Sequence, residues 1–521
     1  MQRLNFLTHR FCWKVALALS LVMLGDYLFF QRQLSGGYIG VLALGLAICA
    51  IAGRNPIRTN YRAWIALAFA GLFVVALMFD PGLLSWTMFW TAISMATLII
   101  STSQFDDGWL WFQRLLMHAV RSPIAPALDA FRLRRASSRP TTRYLSIRRL
   151  LPVLALPLIG GAIIMSLFAT ANPVISDALA AISLPELPPG RIALWIMLFA
   201  LAWSVLRPRL PQHLIPTFNG SGDLPLPGVS VSSVLLSLIL FNLLFAVQNL
   251  LDGAYLWGFL PMPADMTRAE YVHRGAYPLI ATAILAAIFV LVTLRPGSST
   301  AAVPTIRKLV VLWIGQNMIL VASSVLRTLD YIDASLLTTL RIQALAWMGL
   351  VALGLFLICW RMLFGKSASW LINTNLAAAG LLLTSACFVD TGAIAAQWNV
   401  RHAREIGTHS RRLDLCYLSS LGASSLLPLI ELERRPLRPA FRERVQAVRE
   451  RIFNELVYAE DHGGWTWRGA ERLEKARALL PAVPVMRLKP GMRSCDGELL
   501  RSEEDADSAA QPTALTGSEQ Q

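Results

Sequence analysis

The chain has 521 residues, 55% of them hydrophobic and only 15% charged, where an average soluble domain carries about 25% charged residues. A net charge of +15 and a pI near 10.1 would suggest nucleic acid in a soluble chain. Here several charge-poor stretches are long enough to cross a hydrocarbon core of about 30 Å as helices, which excludes an ordinary soluble domain. The basic excess then has a plainer cause, since lysine and arginine collect in loops left in the cytoplasm, and no nucleic-acid partner is expected.

In chain order, Arg3, Arg10 and Lys14 precede the apolar run 15–30. No small-residue cleavage site follows it, so the run reads as an uncleaved first helix. Eleven spans are expected, at 14–30, 36–53, 63–79, 83–101, 150–170, 191–206, 229–251, 276–294, 309–326, 342–364 and 370–390. With the N-terminus inside, the cytoplasmic segments hold 22 basic residues and the opposite loops six: Arg32, Arg191, Arg268, Arg274, Arg327 and Arg341. That alternation supports both the count and the orientation. The expected fold is all-α: a polytopic membrane helix bundle of about eleven transmembrane helices with a small C-terminal helical domain. It divides into helices one to four (1–101), a basic cytoplasmic loop (102–149), helices five to eleven (150–390), a periplasmic helical domain (391–487) and a disordered acidic tail (488–521).

The loop 102–149 opens with FDDGWLWFQRLLMHAVRSP. Trp109, Phe112, Leu116 and Ala119 recur at helical spacing, and Arg114, His118 and Arg121 fall on another face. Such a helix suits the membrane interface. The arginines that follow, among them Arg132, Arg134, Arg135 and Arg139, are candidates for anionic lipid headgroups, although an ordinary positive-inside anchor accounts for them more simply. In the tail, Phe441, Val445, Val448, Ile452 and Leu456 form an apolar stripe, and another helix is expected from Trp467 to Leu480, ended by Pro481.

The chain carries no GxxxxGK[ST], HExxH, CxxC or GxSxG motif. Six scattered cysteines and seven histidines offer no metal-ligand spacing, and His402 with His409 lacks a third ligand. No metal, cofactor or catalytic residue is therefore expected. Cys416 and Cys495 would share the oxidising periplasm, but the place of Cys495 in the loose tail argues against a disulfide.

One set of polar residues converges at the outer membrane surface. Gln248, Asn249 and Asp252 end the seventh span; Glu270, His273 and Arg274 precede the eighth; Arg327 and Asp330 follow the ninth. Arg341 opens the tenth span and Asp390 closes the eleventh, while Gln316, Asn317, Asn373 and Asn375 lie deeper. Polar groups in hydrocarbon are costly unless paired, so these should face the bundle interior. They act first as structural bonds and anchors between helices, and second as a candidate periplasm-facing pocket.

The run LDGAYLWGFLPMPADMTRAEYVHRGAYPLIATA, followed by LWIGQNMILVASSVLRTLDYI, RIQALAWMGLVALGLFLICWRMLFGKSASWLINTN, QWNVRHAREI and LDLCYLSSLGASSLLPLIELE, resembles a family of bacterial polytopic inner-membrane proteins catalogued only as a domain of unknown function. The resemblance covers roughly residues 230–435. It implies a bacterial inner membrane, and it carries over no activity and no site residue. The leading expectation is binding or transport of a small polar solute or lipid headgroup through the outer cluster. The alternative is a non-transporting envelope sensor or scaffold, whose periplasmic tail and basic loop meet an envelope or signalling protein partner. A membrane-embedded transferase using Asp252, Asp265, Glu270 and His273 is third.

Overall fold

Uncharged apolar stretches leave the backbone one way to satisfy its own polar groups in lipid, which is helix. The computed structural model of the chain describes residues 2–102, 107–137, 188–210, 213–217, 230–256, 297–407, 412–483 and 487–500, with isolated positions among 157–170, 222 and 281–293. Among these residues nine helices are long and apolar enough to cross a membrane. They are α1 (Gln2–Phe29), α2 (Gly36–Gly53), α3 (Tyr61–Phe79), α4 (Leu83–Leu98), α7 (Pro189–Leu206), α8 (Val231–Leu256), α9 (Pro304–Ser335), α10 (Thr339–Phe364) and α11 (Ala368–Phe388). Between α4 and α7 lie the shorter α5 (Gly108–Arg121) and α6 (Ala125–Ser137). The chain is an integral, multi-pass, all-α membrane protein. The expected span 150–170 falls largely outside the described residues, and 276–294 partly so.

Local signals set the helix ends. The side chains of Ser35, Asn60, Asp107, Thr338 and Ser367 each accept a backbone N–H from the first turn that follows. Proline opens α7 and α9, and Gly365 closes α10 with φ +62°.

The spans pack as two groups. In the first, α1–α4 and α7 bury a core rich in small side chains, including Ala43, Ala50, Ala63, Ala66 and Ala70, which let membrane helices approach closely. A Cβ at Gly36 would lie 2.8 Å from the Met78 carbonyl oxygen, so the start of α2 meets the end of α3 backbone to backbone. In the second group, Trp313 of α9 sits among Phe241, Phe245 and Phe289, with ring centroids 5.3–6.1 Å away. Large apolar side chains such as Leu236, Leu243 and Leu250 remain exposed on the outer faces, as lipid contact requires. The 32 residues of α9 span about 48 Å at 1.5 Å each, well beyond a hydrocarbon core of about 30 Å. Arg327 therefore lies inside a continuous helix and not in the loop expected after residue 326.

Beyond α11 the chain folds into α12 (Thr391–Arg401), α13 (Leu415–Ser420), α14 (Leu426–Glu433), α15 (Pro439–Asp461) and α16 (Trp467–Leu479). Val445, Val448 and Ile452 of the expected stripe are buried there with Leu418, Leu429 and Ala476. Glu433 takes two bonds from Arg449, at 3.0 and 3.2 Å.

Two expectations about the tail are corrected. Cys416 and Cys495 are joined in a disulfide, and residues 487–500 are ordered. This segment has little apolar content, and polar bonds hold it instead. Arg493 donates to Glu443 at 2.7 Å, Arg451 donates to the Cys495 carbonyl at 2.8 Å, and Arg444 pairs with Asp496. Reasoning from low apolar content missed an attachment made of ions. Residues 501–521 lie outside the described part.

Candidate functional site

Among the described residues, the outer polar groups do not form one cluster. Asp252 of α8 and Arg327 of α9 make an ion pair whose side chains are 5% and 6% exposed, and Gln248 donates to Asp252 at 3.0 Å. Asn249 donates to the Gln316 carbonyl at 3.1 Å across the same helix pair. Asn317 is buried but bonds back to the Trp313 carbonyl of its own helix at 2.8 Å. Asp330 is exposed. Arg341 lies 3.9 Å over the Tyr331 ring and donates to the carbonyls of Ser335 and Leu336, so it closes the turn between α9 and α10. Leu336 in that turn has φ +67°, a left-handed conformation that a branched side chain adopts only under constraint. Glu270, His273 and Arg274, and with them Asp265, lie outside the described residues.

Asp390 belongs to a different constellation. Its carboxylate caps α12, accepts from Ser424 at 3.2 Å, and pairs with Arg472 of α16. One turn earlier on α16, Arg468 pairs with Asp80 at the end of α3, donates to the Phe388 carbonyl at 2.8 Å, and stacks 4.7 Å over the Phe79 ring. Asp80, Ser85, Asp390 and Arg468 line a cavity of about 220 Å³ at this junction. Burial pulls the Arg472 guanidinium down from its ordinary range, and the nearby Asp80 carboxylate raises it again. The spacing of Arg468 and Arg472 was visible as one face of a polar helix, since residues four apart are neighbours. Their acidic partners lie 388 and 82 positions away, so no local pattern pointed to them.

The same domain grips the bundle at two further places. The Trp465 carbonyl accepts from Ser35 Oγ at 2.7 Å and from Gly36 N at 2.9 Å. Asn399 bonds both backbone groups of Leu337, at 2.7 and 2.8 Å, and the Tyr417 hydroxyl accepts from Thr339 N at 2.9 Å. These bonds fix the strained turn at Leu336.

At its other end α11 meets α5. Asp107 caps α5 through Leu110 N at 3.2 Å and accepts from Ser369 Oγ at 3.0 Å, and Thr217 also donates to it. Asn373 accepts from Gly108 N at 2.6 Å. The amphipathic pattern of α5 is present, and its polar face is the one turned inward. Trp111, Arg114 and His118 are buried against the bundle, while Phe112, Leu116 and Val120 are exposed. The His118 ring stacks on Trp90 at 6.4 Å. Burial, with Arg54 adding like charge, pushes its pKa down to about 4. On α6, Asp129 is buried between Trp203, Arg207 and Arg209. Arg132 is exposed; Arg139 lies outside the described residues.

Among the described residues no group of three His, Cys, Asp or Glu side chains is placed to hold a metal ion. His402 stacks on Trp398 at 4.1 Å and bonds its carbonyl; His409 lies outside the described part.

The sequence pattern of DUF4153, a domain of unknown function, matches residues 15–432. The chain belongs to this family. The match reaches much further toward the N-terminus than the resemblance over 230–435, and takes in both groups of spans. It ends before α15 and α16, so Arg468 and Arg472 lie beyond it while Asp80 and Asp390 lie within it. No curated protein and no solved structure matches the chain.

Proposed function

We propose that this membrane protein is a non-transporting sensor or scaffold of the bacterial inner membrane, in which α11 links the C-terminal domain to the loop helix α5. One observation carries the reading: a single spanning helix is bonded at one end by Arg468 and Arg472 and at the other by the cap of α5. Between those ends α11 is sparsely buried, with Ala368, Leu371 and Cys387 its only buried residues. It therefore has little packing to resist a shift or tilt when one end is released. Arg54, Arg58, Arg62, Arg114, Arg121 and Arg132 gather on the α5 side, which supports a cytoplasmic place for it and for the N-terminus. The Cys416–Cys495 disulfide supports an oxidising compartment, the periplasm, for the C-terminal domain.

The test is hydrogen exchange on the purified full chain. Arg468→Gln together with Arg472→Gln removes both arginine attachments of the outer end, and faster exchange is expected in residues 108–121 as well as in α16. If residues 108–121 keep their wild-type protection while α16 loosens, the two ends are uncoupled and the reading fails.

Solute binding or transport through the outer cluster is the second reading, favoured by the buried Asp252–Arg327 pair. It is less well supported because the deep amides face different neighbours. Asn373 bonds α5, Asn375 lies against Gly354 of α10, and Asn317 bonds its own helix.

A further inference from the structure

We infer that the basic-side end of α3 and α4 is a binding site for an anionic phospholipid, separate from the loop arginines and from the α11 connection. Two adjoining hollows carry the inference. A polar cavity of about 400 Å³ is lined by Asn60, Tyr61, Arg62 and Thr102. A second of about 330 Å³ is walled by Ile65, Phe69 and Met95. They share Tyr61, Arg62 and Ile99, so the two adjoin at the start of α3. This is the division an amphiphile needs: a polar mouth, then an apolar groove along the helix.

Depth agrees with chemistry. The 19 residues of α3 span about 28 Å, close to the thickness of the hydrocarbon core. Tyr61 and Arg62 at its start therefore lie at headgroup level, and Phe69 lies about 10 Å deeper, among the acyl chains. Tyr61 and Trp64 are both exposed here, the usual position of aromatic residues at a membrane interface. The Arg62 Nε donates to Tyr61 Oη at 3.0 Å, which holds the guanidinium across the mouth. Residues 54–62 include Arg54, Arg58 and Arg62 and no acidic residue. The mouth thus selects a negatively charged headgroup, and the groove requires that the headgroup carry a chain. A planar guanidinium bonds phosphate oxygens in pairs, which suits Arg62 to a phosphodiester.

The experiment measures lipid retained by the purified full chain in detergent, using phosphatidylglycerol and phosphatidylcholine of equal chain length, with glycerol 3-phosphate as a chainless competitor. Wild type is expected to retain phosphatidylglycerol preferentially. Arg62→Gln should reduce that preference about five-fold, the effect of one surface charge. Ile65→Trp, which fills the groove from an exposed position, should lower retention of both lipids. Equal retention of the two lipids by wild type, or an unchanged preference in Arg62→Gln, overturns the site. Displacement by glycerol 3-phosphate as effective as that by the lipid would show a phosphate site without a chain, and also overturns it. Melting temperatures of the variants, matched to wild type, separate these outcomes from misfolding.

Discussion

Replacing His118 with leucine should remove most of one acid-sensitive contribution to stability. The imidazole is 3% exposed, and its Nε2 is buried without a hydrogen-bond partner. Burial first, and the Arg54 charge second, hold its pKa at about 4 against an ordinary 6.5. The folded value is the lower one, so the unfolded chain takes up the proton first. The contribution of the neutral ring is therefore complete above 6.5 and is lost as the pH falls from 6.5 toward 4. Linkage gives a loss of about 2 kcal/mol between about pH 7.5 and about pH 5, rising to roughly 3 kcal/mol below both values. Leucine fills a similar volume and leaves no unbonded nitrogen, so at about pH 7.5 the variant should match or exceed wild type. The assay is thermal unfolding in detergent over that range, read as the difference between the two proteins. Parallel curves would refute the reasoning, because they would mean that His118 does not change its proton affinity on folding.

Breaking the buried pair by Arg327→Ala should cost about 3–5 kcal/mol, since it strands the Asp252 carboxylate, and the double change Asp252→Leu with Arg327→Met should recover most of it; detergent melting curves report both. Reducing Cys416–Cys495 should lower stability by about 2–5 kcal/mol and open trypsin sites at Arg487 and Arg493. Non-reducing gels with thiol labelling show whether the bond forms in cells. Reporter fusions after Arg149, Arg307 and Lys366 should give cytoplasmic signals, and fusions after Asp265 and Arg435 periplasmic ones; a cytoplasmic signal from Arg435 would contradict an odd number of crossings. A chain ending at Arg435 should lose exchange protection in α12–α14, and retained protection there would mean that α15 and α16 are dispensable to that fold.

The spans were legible because lipid imposes a composition that can be read residue by residue: nine of eleven expected runs are described as apolar helices, although α9 continues to Ser335, well past its expected end at residue 326. The pairing of polar groups was not legible in the same way. Gln248 and Asp252 are four apart on one helix, and their bond follows from helical geometry. Their arginine is 75 positions away, and only the packing of α8 on α9 selects Arg327 over Arg341, which turns back to cap its own turn. Asp390 was picked out for its place at a span end, yet its partner comes from a soluble helix. The interfacial reading of α5 turned its apolar residues toward the bilayer, and Phe112 and Leu116 are exposed; that Arg114 and His118 pack inward against the bundle was not legible in the pattern.

The extent of the family match and the extent of the folded unit differ, and the difference bears on where function resides. The match ends at residue 432, in the middle of a hydrophobic core. Ala396, Leu418, Leu429 and Leu432 from within it pack with Val445, Val448, Ile452 and Ala476 from beyond it. Glu433, one residue past the boundary, is buried and bonded by Arg449. A helical unit cut at that point would expose apolar side chains from both halves, so residues 391–432 and 439–483 stand or fall together. The groups that join this unit to the bundle are divided in the same way. Ser35, Asp80 and Asp390 lie within the match and their partners Trp465, Arg468 and Arg472 beyond it, whereas the Asn399–Leu337 bonds lie wholly within it. A link running from α16 through α11 to α5 is thus a property of the whole chain, and it cannot be carried by the matched segment alone.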